Sequence, residues 1–77
     1  MIFSRQVLND IYSRRALAVS REAYHLYCNV RAQPQNNGIV NISVQIKEPY
    51  KEQARQVFLE FWNYFLDVSC KQYLETV

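Results

Sequence analysis

Residues 58–73, FLEFWNYFLDVSCKQY, carry more apolar side chains than one face of a helix can hold. They fall into two rows, each stepping by three or four positions as residues on one side of a helix must. The first row is Phe58, Phe61, Phe65 and Val68, and the second is Leu59, Trp62, Leu66, Cys70 and Tyr73. A helix on the surface of a small domain needs one apolar stripe, so the second row requires its own explanation.

Alternating side chains predict three strands. The clearest is 39–46, IVNISVQI, whose β-branched residues would face a core while polar residues face solvent. Residues 28–33, CNVRAQ, also alternate, and PQNNG at 34–38 predicts the turn that joins the two strands, since Asn37 and Gly38 tolerate positive φ. Residues 2–7, IFSRQV, are predicted as a more weakly patterned first strand.

Two helices complete the prediction. The first is expected from about Asp10 to Tyr27 with Asn9 as its N-cap, and its apolar face is expected to be Tyr12, Ala16, Val19, Ala23 and Leu26. The second is expected from Tyr50 to about Leu74, with Pro49 near its first turn. At 1.5 Å per residue that helix is longer than an eight-residue strand, so its last turns would overhang the sheet.

The predicted order β-α-β-β-α fits a single α+β domain over residues 1–77. The simplest packing is a three-stranded antiparallel sheet with both helices on one face. The first strand then lies beside the third, because crossover connections are right-handed. This is a ferredoxin-like arrangement that lacks its last strand. The edge that the missing strand would cover is predicted to be open to an extended peptide, along Ile2, Phe3, Ser4, Arg5, Gln6 and Val7.

Residue types argue against catalysis and against a metal or cofactor. The single histidine, His25, is expected near the end of the first helix and off its apolar face. One glycine cannot build a glycine-rich phosphate loop, and two cysteines with one histidine fall short of a four-ligand zinc site. Cys28 and Cys70 are expected to be reduced thiols, with a disulfide between them as the open alternative.

Several stretches resemble one family. They are Phe3-Ser4, a helix with Ala16 and Tyr24, the strand IVNISVQIK and then LEFWNYFLDVSCKQYLE. The last contains Glu60-Phe61, Asn63 and Leu66-Asp67, and is similar to the EF-x-N-x-x-L-D segment of HxsD-like small proteins of the His-Xaa-Ser peptide-modification system. The resemblance implies a non-catalytic accessory protein that binds a radical-SAM enzyme, a precursor peptide or both.

The second apolar row of the last helix is predicted to be a partner interface, because a contiguous exposed apolar patch usually marks one. Its occupant could be a modifying enzyme, a precursor peptide or a second copy of the chain. The alternative is a small nucleic-acid-binding or regulatory protein that uses Arg14, Arg15, Arg21 and Arg31. The polar outward face predicted for the sheet has no aromatic platform for bases, and this disfavours the alternative.

Composition and the N-terminal residues predict a globular cytoplasmic protein. Hydrophobic residues make up 49% and charged residues 21%, with a net charge of +2. The first 15 residues have no apolar core or cleavage site of a signal peptide. No stretch reaches the length of a membrane span.

Overall fold

The computed structural model describes the backbone of residues 1–9 and 13–76, and the side chains of residues 1–9 and 13–70. Its strands and helices follow the order β-α-β-β-α. They are β1 (Ile2–Leu8), α1 (Arg14–Ala23), β2 (Cys28–Pro34), β3 (Ile39–Ile46) and α2 (Ala54–Thr76), with short 3-10 helices at Asn36–Gly38 and Glu48–Gln53. The predicted α+β fold class is therefore confirmed.

β3 lies at the centre of the sheet. The strand order is β1-β3-β2, and both pairings are antiparallel. The predicted bounds of this strand are correct, and its alternate side chains are buried as expected: Val40, Ile42, Val44 and Ile46. Alternation on a pleated strand puts every second side chain on one face. The helices cover the face that carries these four residues, and the side chains between them, such as that of Gln45, point to the opposite face.

The turn between β2 and β3 confirms the prediction made from PQNNG. Asn37 and Gly38 both have positive φ, 69° and 72°. Asparagine and glycine adopt this left-handed conformation at low cost. The Gln35 N–H donates to the Ile39 carbonyl at 2.7 Å and closes the loop.

α2 begins later than predicted. Residues 48–53 form a 3-10 helix with Pro49 in its first turn, and the Tyr50 N–H donates to the carbonyl of Lys47, three residues back. The Tyr50 ring packs on Tyr27 with a centroid separation of 4.8 Å. α2 then runs for 23 residues from Ala54 to Thr76, about 34 Å at 1.5 Å per residue, whereas the last fully buried side chain described on it is Phe65.

The first apolar row of α2 forms the centre of the core, as predicted. Phe58, Phe61 and Phe65 are buried, and Val68 packs against them while half-buried. The Phe61 and Phe65 rings are nearly parallel at 6.4 Å. Ala54 and Val57 extend the same face toward the start of the helix.

The bounds and the buried face predicted for α1 are wrong in part. The helix begins after Ser13, whose hydroxyl accepts a hydrogen bond from the Ala16 N–H at 3.0 Å, so Ser13 rather than Asn9 is the N-cap. Asp10 and Tyr12 lie outside the described residues. The predicted face correctly includes Ala16, but the other buried residues are Leu17 and Ser20.

Val19, Ala23 and Leu26 are exposed instead, and the helix ends at Ala23, before the turn 24–27. The reason for the error is Ser20. Its hydroxyl donates to the Ala16 carbonyl at 2.8 Å, and this bond allows a polar side chain to be buried. A prediction from apolar spacing alone omits Ser20 and therefore assigns the buried face of α1 to the wrong residues.

Phe61→Ala is expected to lower the free energy of unfolding by about 3–5 kcal/mol, because it leaves a cavity at the centre of the core. For a domain of this size such a loss consumes most of the stability. Urea denaturation followed by circular dichroism measures it.

Leu66→Ala on the same helix is the matched control, since Leu66 is 46% exposed. Its effect should stay within about 0.5 kcal/mol. Equal losses for the two variants would show that the buried and exposed faces of α2 are assigned wrongly.

Candidate binding surface beside the open strand edge

The backbone groups of β1 alternate between β3 and the free edge. The Ile46 N–H donates to the Met1 carbonyl at 2.9 Å, and the Asn9 N–H donates to the Gly38 carbonyl at 2.7 Å. In an antiparallel pair, hydrogen-bonded positions recur at every second residue. Odd-numbered residues of β1 therefore bond to β3, and the even-numbered ones direct N–H and C=O outward: Ile2, Ser4, Gln6 and Leu8.

The described edge of β2 offers fewer free backbone N–H donors than the edge of β1. The Lys47 N–H donates to the Tyr27 carbonyl at 2.9 Å, so the outward groups of this strand belong to even-numbered residues. Of these, Cys28 already donates its N–H to the Tyr24 carbonyl, and Pro34 has no N–H. Among the described residues, β2 thus leaves outward donors at Val30 and Ala32, whereas β1 leaves four.

The side chains of β1 divide in the same alternating way. Phe3, Arg5 and Val7 lie opposite the buried residues of β3 and share their face. Phe3 stacks on Phe58 with ring centroids 4.7 Å apart, and Val7 packs half-buried against the core. The helix side of the free edge is therefore apolar except at Arg5.

Arg5 lies across the aromatic rings of α2. Its guanidinium carbon is 5.3 Å from the Phe58 centroid and 5.6 Å from the Trp62 centroid, in the range of cation–π contacts. The side chain stays exposed. Within the described part of the chain, no carboxylate lies within ion-pair distance of it.

Of the second apolar row of α2, Trp62 lies on the flank that faces this edge, and Leu66 follows it by one helical turn. Leu59 lies instead on the outward side of the helix, where it lines a shallow depression with Glu60 and Asn63. The flank opposite Trp62 faces α1, because Phe61 and Tyr64 contact Tyr24 there. Leu59 and Leu66 are 41% and 46% exposed, and Cys70 is also exposed. Tyr73 lies outside the described side chains.

Trp62 belongs to both the core and the surface. It is half-buried, with its ring 6.1 Å from Phe58 and 5.4 Å from Phe65, and Arg5 covers part of it. Trp62→Ala would therefore remove core packing as well as exposed surface.

The predicted peptide edge and one part of the predicted interface row, Trp62 with Leu66 one turn later, are thus neighbours. We call them together the edge surface, defined as the outward backbone groups of β1, the Arg5 side chain, Trp62 and Leu66. The sequence patterns predict the strand edge and the helix row as two separate surfaces. The contact of Arg5 with Trp62 joins them into one.

The four arginines of the nucleic-acid alternative are distributed along α1 and β2. Arg21 and Arg31 line a shallow cavity of about 320 Å³ beside β2, together with Glu22 and His25. Arg14 and Arg15 lie in the first turn of α1, two helical turns away from Arg21. Arg31 also borders the polar outer face of the sheet, which among its described lining residues contains no aromatic ring.

His25 and Cys28 share that cavity but are not arranged as a base and a nucleophile. The His25 Nδ1 is 2.8 Å from the Glu22 carbonyl, and the Cys28 thiol donates to the Tyr24 carbonyl at 3.6 Å. Burial raises the pKa of the Cys28 thiol, which opposes formation of the reactive thiolate. Both cysteines are free, and no metal-binding group of three His, Cys, Asp or Glu occurs among the described residues.

A tyrosine cluster between α1 and α2 is not predicted by the sequence patterns. Tyr24, Tyr27, Tyr64 and Glu60 line a cavity of about 440 Å³. Burial, and then the Glu60 carboxylate, raise the pKa of Tyr24. The spacing of Tyr24 and Tyr27 is a signal in the sequence, but Tyr64 joins them only through the packing of α1 against α2.

Comparisons of the chain with protein-family models, with curated proteins and with solved structures found no match. Neither helix, over the residues described, has the combination of length and apolar character that crossing a membrane demands.

The free energy of unfolding should fall as pH rises above about 9. The folded state holds the Cys28 proton beyond the ordinary thiol pKa of 9.0, so above that pH it binds more protons than the unfolded chain, and stability present below this range is lost. Urea unfolding at pH steps from about 8 to 10.5 should show this slope, reduced in Cys28→Ala. Cys70→Ala, which removes an exposed thiol, should keep it; an unchanged slope in Cys28→Ala would contradict the assignment.

Proposed function

We propose that this chain is a non-catalytic binding protein that holds an extended segment of another polypeptide as a fourth strand beside β1. The observation that carries the proposal is the outward direction of the backbone groups of four residues on β1, next to the partly exposed Trp62 of α2. Backbone hydrogen bonds would supply affinity, and contacts of alternate side chains would supply selectivity.

An added strand would complete the layer under α2. Every second side chain of that strand points toward the helices, where Trp62 and Leu66 are only partly covered. Burial of apolar surface contributes about 25 cal/mol per Å². The same position belongs to the chain's own last strand in a complete ferredoxin-like fold.

The resemblance to HxsD-like proteins suggests the biological context in which the chain would bind an extended segment. It supports a role as an accessory component of a peptide-modification system, in which the occupant is a precursor peptide or an extended segment of a radical-SAM enzyme. Within the motif, Phe61 is buried and Leu66 is exposed as part of the edge surface. Two free cysteines accord with a cytoplasmic location.

The test uses a nine-residue peptide with valine at odd positions, threonine at even positions and glutamate at the centre. Trp62 is the only tryptophan in the sequence, so its fluorescence reports binding. Ser4→Pro removes an outward donor of β1 while leaving the ladder to β3, and it should weaken binding by about tenfold or more.

Ala32→Pro is the matched control, because it removes an outward donor from the opposite edge. Its affinity should equal that of the unchanged chain. Equal weakening by both prolines, or by neither, would overturn the assignment to β1. Binding to an oligonucleotide that falls steeply with salt would instead favour the arginine-based alternative.

A further inference from the structure

The position opposite Arg5 on an added strand is set by the hydrogen-bond pattern of β1. Both ladders of this sheet are antiparallel, and we take the added strand to run antiparallel to β1 as well. Arg5 directs its backbone groups to Ile42 on β3. Across the free edge, Arg5 therefore occupies a non-hydrogen-bonded position. The facing Cα atom lies about 4.5 Å away at such positions, and the two side chains point to the same face and meet.

At the position where the two side chains would meet, the described residues supply the positive charge of Arg5 and no carboxylate within ion-pair distance of it. The guanidinium carbon lies 5.3 Å and 5.6 Å from the Phe58 and Trp62 ring centroids, and a guanidinium in contact with aromatic rings can still donate its N–H groups to a carboxylate. A strand laid beside β1 would remove water from these donors. A desolvated cation requires an anionic partner, and the described residues provide none within ion-pair distance.

A second copy of the chain fits this site poorly. An antiparallel self-pair that uses all four outward residues of β1 sets Ile2 against Leu8 and Ser4 against Gln6. The centre of that pair then sets Arg5 of one copy against Arg5 of the other. Like charges directly opposite each other destabilise a strand pair.

We propose that the occupant of the edge surface is an extended peptide segment with Asp or Glu opposite Arg5 and apolar residues two positions to either side. The carboxylate receives the guanidinium N–H donors. The flanking apolar side chains stand opposite Phe3 and Val7, on the side of the strand that faces α2. This inference rests on the proposed function and adds to it the chemistry of the recognised segment.

The experiment compares three versions of the nine-residue valine–threonine peptide, with glutamate, glutamine or lysine at the centre. The glutamate peptide should bind the unchanged chain about tenfold more tightly than the lysine peptide, with the glutamine peptide between them. Arg5→Glu should reverse this order. A reversal tests the contact itself, because a general loss of folding would weaken all three peptides together.

Arg31→Glu is the matched control, since it makes the same change in net charge on β2, away from the edge surface. It should keep the original order. Equal binding of all three peptides, still blocked by Ser4→Pro, would overturn the charge inference and leave strand addition standing. Failure of all three to bind would overturn the proposed function and the inference with it.

Discussion

Pairing of β3 on both of its sides is the constraint on which the structure depends. Its even-numbered residues bond to β1 and its odd-numbered residues bond to β2. The even-numbered side chains are also the buried ones. Burial on the helix side and hydrogen bonding on both edges therefore come from a single eight-residue segment, and every other element is positioned relative to it.

The same alternation couples the core to the edge surface. The residues of β1 that bond to β3 are those whose side chains face α2, so Phe3 and Arg5 reach the Phe58 ring. The residues between them are left to direct their backbone groups outward. A shift of β1 by one residue would exchange these roles and turn Arg5 to the outer face.

Features that depend on neighbouring residues could be predicted from the sequence. The alternation of 39–46 predicted β3, Asn37 and Gly38 predicted the turn, and the step of three and four predicted the buried row through Phe61. The face of α1 could not be predicted from apolar spacing, because Ser20 is buried by a bond to its own helix. α1 is shorter than its apolar pattern predicts, because residues 24–27 continue that pattern but form a turn.

The sequence could not predict that the two parts of the edge surface lie next to each other. Its two parts are more than 50 residues apart in the chain, and each was predicted separately. Their adjacency depends on which flank of α2 faces α1, and this follows from ring contacts of Tyr24 that no local pattern encodes. Whether the edge surface takes an acidic segment stays a prediction.

The inequality of the two sheet edges has a consequence for assembly. Growth of a cross-β fibre requires each molecule to offer one competent edge to the molecule before it and another to the molecule after it. Pro34 and the bonded N–H of Cys28 interrupt the second edge here. With a segment bound beside β1 as proposed, the interrupted edge of β2 disfavours addition of a further molecule, so the free edge of β1 does not by itself make the chain a seed for its own polymerisation.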